Sequence, residues 1–188
     1  MKKEYIDLED LIRHFHTNVA WTHKIQEKQA EIYNKKYALI ATINIFAASI
    51  TSAGILSTIF ADQMWLKIVS AVVSFVTVFL TALLKAFDFK EMAKANKSAA
   101  TKLVILRDEL RLLLHKVRKE MQPVAELTEE FADIQRRVHA VYQDAPQTTD
   151  KAVTMAGVAL YERKDNTYTE EEMDMLLPES LRRGTQGE

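Results

Sequence analysis

Three groups of residues in this chain have types and spacings that could do chemistry. The first is histidine: His14 and His16 stand two apart in "HFH", and His23 follows. A helical metal site needs ligands about four residues apart, and an i, i+2 pair points to different faces, so these side chains read as surface residues. The expected metal and cofactor content is none. The second group is cationic. Arg136 and Arg137 adjoin in "QRRVH", and Lys116, Arg118 and Lys119 cluster shortly before. Guanidinium and ammonium N–H groups at such density suit an anionic nucleotide or oligonucleotide. They suit equally well a solvated helix face or attraction to an anionic leaflet.

The third group is neutral and polar. Ser70, Ser74, Thr77 and Thr81 follow i, i+4, i+7, i+11, and Asn44, Thr51 and Thr58 recur every seven residues, each set on one helical face within an apolar run. Small polar residues let membrane helices approach closely and hydrogen-bond. In an oligomer the same stripes can line a hydrated path. A Gly-rich phosphate loop, a nucleophile elbow and the HExxH pattern are all missing, and the acidic residues are interspersed with Lys and Arg on helical faces. An enzyme is therefore disfavoured.

The elements that must position these groups follow from a segregated composition. The 188-residue chain has no Cys, four Gly, three Pro and a net charge of −1. That composition favours long helices and provides neither disulfides nor thiolate metal ligands. From Ala38 to Ala61 there is no charged residue, whereas Lys85 to Glu120 carries ten Lys or Arg against five Asp or Glu. Ala38 to Ala61 as a helix covers ~36 Å, enough to cross a ~30 Å hydrocarbon core. Ile68 to Leu84 is a shorter second span, extended by Trp65 and Leu66 while Lys67 reaches the headgroups. A soluble bundle with both runs buried is the alternative, but the first run has no polar face to offer solvent.

Lys35 and Lys36 precede the first span, and Lys85, Lys90, Lys94 and Lys97 follow the second. The positive-inside rule then makes both termini cytoplasmic. The start "MKKEYIDLEDLIRHFHTN" lacks the apolar stretch of a cleavable signal.

Outside the spans, Leu8, Ile12, Phe15, Val19, Ile25 and Ile32 predict an amphipathic helix feeding into span one. Ala99, Leu103, Leu106, Leu110, Leu113 and Val117 predict a coiled-coil seam. It pairs either with the first helix of its own chain or with another chain. Pro123 ends that arm, and Leu127, Phe131, Ile134, Val138 and Val141 predict a further helix with Thr128 as N-cap. "QDAPQTTD" reads as a linker or turn, Asp150 as the cap of a short helix, Thr169 with Glu172 as a capping box, and the chain from Pro178 as a frayed tail. The expected fold is all-α and oligomeric. A cytoplasmic helix over 1–37 leads into a transmembrane helix over 38–61. A loop over 62–67 joins it to a second transmembrane helix over 68–84, followed by a cytoplasmic helix over 85–122 and a C-terminal helical region over 123–188.

This order of elements carries a resemblance. A cytoplasmic helix running into "KKYALIATINIFAASITSAGILSTIF", a short loop, "VVSFVTVFLTALLKAFDFKEMAKANKSAATKLVILRDELRLLL" and then "LTEEFADIQRRVHAVYQDAPQTTD" resembles the SLATT family, the SMODS and SLOG associating two-transmembrane effectors, over roughly residues 10 to 150. The resemblance lies in architecture and in stretches such as "A-x-x-x-x-A-A-x-K-L". It implies a membrane effector of bacterial antiviral defence that oligomerises into a pore, with a tetramer as the working number. Its messenger would come from a separate nucleotidyltransferase. A stand-alone chain of this kind resembles the channel subunit of Hailong-type systems, in which an oligonucleotide holds the channel closed. The alternative is a non-conducting membrane scaffold that recruits partner proteins.

Overall fold

The long stretch from Lys3 to Phe60 contains no proline and a single glycine, Gly54, so nothing in it interrupts a helix. It forms one, α1 (Lys3–Phe60), ~87 Å long at 1.5 Å per residue. The computed structural model describes residues 2–60, 63–165 and 167–183, with the backbone alone over 55–60. Further helices are α2 (Met64–Ala86), α3 (Phe89–Arg118), α4 (Val124–Asp144), α5 (Asp150–Gly157), which widens into a π-helical turn over Val158–Glu162, and α6 (Glu170–Leu176). The fold is all-α, with no strand among the described residues.

Helices α1 and α2 form an antiparallel hairpin whose apolar stretches are long enough to cross a membrane. α2 has no buried residue, and Phe46, Ile50, Phe75 and Phe79 stand exposed. That exposure is what a lipid-facing surface requires. Because α2 begins at Met64, the residues Trp65, Leu66 and Lys67, expected in the connecting loop, are helical. Of the loop expected over 62–67, Gln63 is the N-cap of α2, and position 62, like position 61 at the end of the expected first span, lies outside the described residues.

The two sides of the hairpin leave the membrane differently. α1 continues without a break, whereas the second strut is interrupted at Phe87 and Asp88, and the Asp88 carboxylate accepts the Glu91 amide at 3.0 Å to start α3. A collar marks the boundary. Phe89 stacks on Phe87 and on Tyr33, Lys36 Nζ lies 5.9 Å from the Tyr33 and Phe89 rings, and Lys90 Nζ lies 5.7 Å from Tyr37. Aromatic rings and cations at this level match the chemistry of a headgroup layer.

Below the collar α1, α3 and α4 form a three-helix bundle. The expected α3 seam is buried throughout, from Ala99 to Val117, and it meets Leu8, Ile12 and Val19 of α1 and Leu127, Phe131, Ile134 and Val138 of α4. Pairing within one chain therefore accounts for the seam. α3 closes in a Schellman turn: Met121 N–H donates to Lys116 O, Glu120 N–H donates to Val117 O, and Glu120 takes the left-handed conformation usual for glycine there (φ 48°). α4 starts after Pro123, so Thr128 is not its cap. The Thr128 hydroxyl instead donates to Val124 O within the helix.

The segment "APQTT" is more than a linker. Gln26 Nε2 donates to Pro146 O, and Gln29 Oε1 accepts both the amide and the hydroxyl of Thr149. The strap is thereby tied to α1, and Thr149, not Asp150, stands at the N-cap of α5. α5 then runs back along α1, burying Ala152 and Ala156 against Ile25, Ile32 and Trp21. The capping box of Thr169 and Glu172 is formed as expected. Leu181 closes a short 3-10 turn, so the tail is ordered at least that far.

Candidate functional site

The two polar stripes of the spans face each other inside the hairpin. Asn44 Nδ2 donates to Thr81 Oγ1 at 3.1 Å, and a Cβ at Gly54 would lie 2.3 Å from Ser70 Oγ. The same antiparallel register brings Thr51 level with Ser74. Thr51, Thr77 and Thr81 donate to their own helix at Ala47, Val73 and Thr77. Hydroxyls satisfied this way cost little in hydrocarbon. Asn44 Oδ1 is buried and unpartnered, leaving the seam one acceptor short. The side chain of Thr58 lies outside the described residues. On α1, Thr42, Ser49 and Ser52 are exposed on the face opposite this seam.

The cations singled out in the sequence are largely engaged in holding helices together. Arg137 grips the Glu109 carboxylate of α3 with two nitrogens and also pairs with Asp133, and Arg136 pairs with Asp133 as well. Lys116 reaches both oxygens of Glu130 at 2.8 and 2.9 Å, and Arg118 Nε meets Glu9 at 2.6 Å. Lys119 caps α3 and is exposed. Of the five, only Arg118 borders a cavity among those described.

That cavity lies between α1 and α3. It has a volume of about 440 Å³ and is lined by Arg13, His16, Thr17, Arg111, Leu114, His115 and Arg118. A second cavity of about 240 Å³ adjoins it through His16 and Arg111 and reaches Ala20, Arg107, Leu160 and Asp165. Sequence reasoning passed over this cleft although its signal was present. Arg107, Arg111, His115 and Arg118 follow i, i+4, i+8, i+11 on α3, and Arg13, His16, Thr17 and Ala20 share one face of α1. What the sequence did not provide was the pairing that sets these two stripes side by side.

The histidines also differ from the surface reading. His14 is exposed and His16 half-buried, but His23 is only 8% exposed. Burial pushes the His23 imidazole down to about 4, against the pull of Glu27 and with help from Arg107, Lys24 and Lys97. The His16 pKa is lowered by burial and by Arg111 and Arg107, against the pull of Asp108, and its Nε2 is unpartnered. Beside His23, Lys24 is buried and bonded to Glu27 at 2.9 Å and Asp165 at 3.3 Å, which pins the segment after the π-helical turn onto α1. Among the described residues no group of His, Asp and Glu is placed to hold a metal ion.

No curated protein and no solved structure matches the chain significantly. The family comparison is decisive because it spans both the hairpin and the bundle. Residues 8–172 match the SMODS and SLOG-associating 2TM effector domain family 4, and the chain, with two helices long and apolar enough to cross a membrane, belongs to that family of membrane effectors.

Proposed function

We propose that copies of this chain assemble in a bacterial inner membrane, with both termini cytoplasmic, into a pore or ion channel that serves as an effector of antiviral defence. A nucleotide or oligonucleotide made by a separate nucleotidyltransferase opens it or holds it closed, and opening depolarises the cell and arrests growth. Family membership supports the effector role. The observation that carries the pore is the outward face of α1. The seam already occupies Asn44, Ser70 and Thr81, yet Thr42, Ser49 and Ser52 stand exposed on the opposite face. Ser49 and Ser52 donate to Ile45 O and Ala48 O of their own helix, which makes them tolerable in lipid, but only neighbouring copies or water would use their remaining hydrogen-bonding capacity.

On this reading the conduit is lined by Thr42, Ser49 and Ser52, while the half-buried Thr51, Ser74 and Thr77 hold the seam behind it. Reconstitution into liposomes tests the proposal. Purified protein should pass ions, and Ser49→Leu with Ser52→Leu should abolish the flux while oligomer size is kept, because an apolar constriction dewets. A scaffold that recruits partners is the second reading, favoured by the hydrogen bonds that Asn44 makes to Thr81 and that Thr51, Thr77 and Thr81 make to their own helices within one chain. Wild-type liposomes that stay ion-tight with and without nucleotides would establish the scaffold instead.

A further inference from the structure

We propose that the cleft between α1 and α3 binds a soluble phosphate-bearing anion, held by Arg13, Arg111, His115 and Arg118 with His16 between them. The proposal deepens the ligand-gated reading above and rests on it for the class of ligand. The geometry of the cleft stands apart from that reading.

The charge balance favours an anion. Arg111 makes no ion pair among the described residues, and Arg13 meets only Asp10, at 3.9 Å with both side chains mostly exposed. Arg118 uses one nitrogen on Glu9, a residue that is itself buried, and keeps its terminal N–H groups. Arg107 pairs with its exposed sequence neighbour Asp108. Asp165, the one acid lining the cleft, is already offset by Lys24 and Arg163. Guanidinium groups left with free N–H donors on both walls of a cleft match phosphate oxygens in geometry as well as in charge. The unpartnered His16 Nε2 adds a further polar atom to the cleft, whereas the Thr17 hydroxyl at its wall already donates to Arg13 O.

Distance separates the possible sources of the phosphate. Arg13 lies 24 residues before Tyr37 on an unbroken helix, which puts it ~36 Å below the aromatic collar. A lipid headgroup of the same membrane does not reach that far, so the ligand must diffuse in from the cytoplasm. Adjoining cavities of about 440 and 240 Å³ hold a group the size of a nucleotide phosphate chain.

The test uses the full-length protein in nanodiscs, with inorganic tripolyphosphate and a fluorescein-labelled adenylate trinucleotide as probes. Wild type should bind one or both, more weakly as salt rises. Arg111→Gln and Arg13→Gln should each weaken binding about tenfold or more, while Arg136→Gln, on the far helix, should bind like wild type. Folded Arg111→Gln and Arg13→Gln proteins that bind like wild type would overturn the proposal, as would wild type that binds neither probe. Equal affinity in zwitterionic and anionic nanodiscs supports a soluble ligand. Displacement of the probes by phosphatidylglycerol would overturn it in favour of lipid. Arginine-dependent binding without ion flux leaves the site standing and defeats the pore, whereas flux without arginine-dependent binding does the reverse.

Discussion

The hairpin and the bundle are built from comparably long helices, yet they achieve order in opposite ways. In the bundle Leu103, Leu110, Leu113, Val117, Leu127 and Val138 have no exposed surface, so one chain completes its own core. In the hairpin Ala47 is the only described residue of the spans that is buried, and the single inter-helix hydrogen bond among the described residues there is Asn44 to Thr81. Water drives the first arrangement by expelling apolar surface. Lipid removes that force from the second and leaves close packing and a few polar bonds to do the work. One half of the molecule is finished in isolation, and the other is finished by its surroundings.

The sharpest way to break this contrast is to cut the same kind of side chain on each side of it. Leu110→Ala should destabilise the bundle by about 2–5 kcal/mol through lost transfer energy and a residual cavity. Phe75→Ala on the exposed face of α2 should change stability by less than about 0.5 kcal/mol. Urea unfolding in detergent, followed through Trp21 in a Trp65→Phe background, reads both. Similar losses would mean that the hairpin carries a hidden core.

Acid should also act on the bundle first. The His23 imidazole is held near 4 when folded and returns to its ordinary value near 6.5 when unfolded, so the unfolded chain binds the extra proton between those limits. Stability should fall as pH drops through that window, by about 2 kcal/mol from pH 7 to pH 5. His23→Gln should flatten the slope there. Glu31, held near 2 by hydrogen bonds from Lys35 and Lys28, contributes its stability above its ordinary value of 4.5 and loses it only as pH falls from there toward 2, which leaves the histidine window clean down to about pH 5. An unaltered pH profile in His23→Gln would place the titration elsewhere.

The hairpin should yield smaller numbers. Gly54→Ala puts a methyl group against Ser70 and should cost about 1 kcal/mol, by turning that hydroxyl or parting the helices. Disulfide trapping between cysteines placed on the two spans would register the separation as a lower yield. Asn44→Leu removes the bond to Thr81 and should cost only about 0.6 kcal/mol, the usual worth of such a bond in a membrane. A loss several times larger would show that Asn44 also serves neighbouring copies.

What the sequence revealed depended on whether the information was local. Both apolar runs were readable from their length and lack of charge, and the α1 entry, the α3 seam from Ala99 to Val117 and the inward face of α4 from periodicity, because each of these three is fixed by burial of one helix face. The partners were not readable. The stripe through Ser70, Ser74, Thr77 and Thr81 was visible, but nothing in its spacing distinguished a pore axis from the opposite helix, which Asn44 turns out to touch. Arg136 and Arg137 were legible as a cationic pair, but not that Glu109, 28 residues from Arg137, meets that side chain across the α3–α4 contact. The cleft failed to appear for the same reason, since Arg13 and Arg111 belong to different helices. His23 was missed because it is buried where α1 meets α3, beside Lys97 and Arg107, more than seventy residues away in the chain.

The uninterrupted course of α1 has a mechanical corollary. A helix with no break between Val19 and Ser49 behaves as a stiff rod, while its companion strut has a joint at Phe87 and Asp88. Leverage follows from length alone: a tilt of about 5° pivoting at Val19 carries Ser49, ~45 Å along the rod, sideways by about 4 Å. A small adjustment at the cytoplasmic end is thereby magnified at the membrane end, and the joint lets the second strut accommodate the swing without pulling the bundle apart.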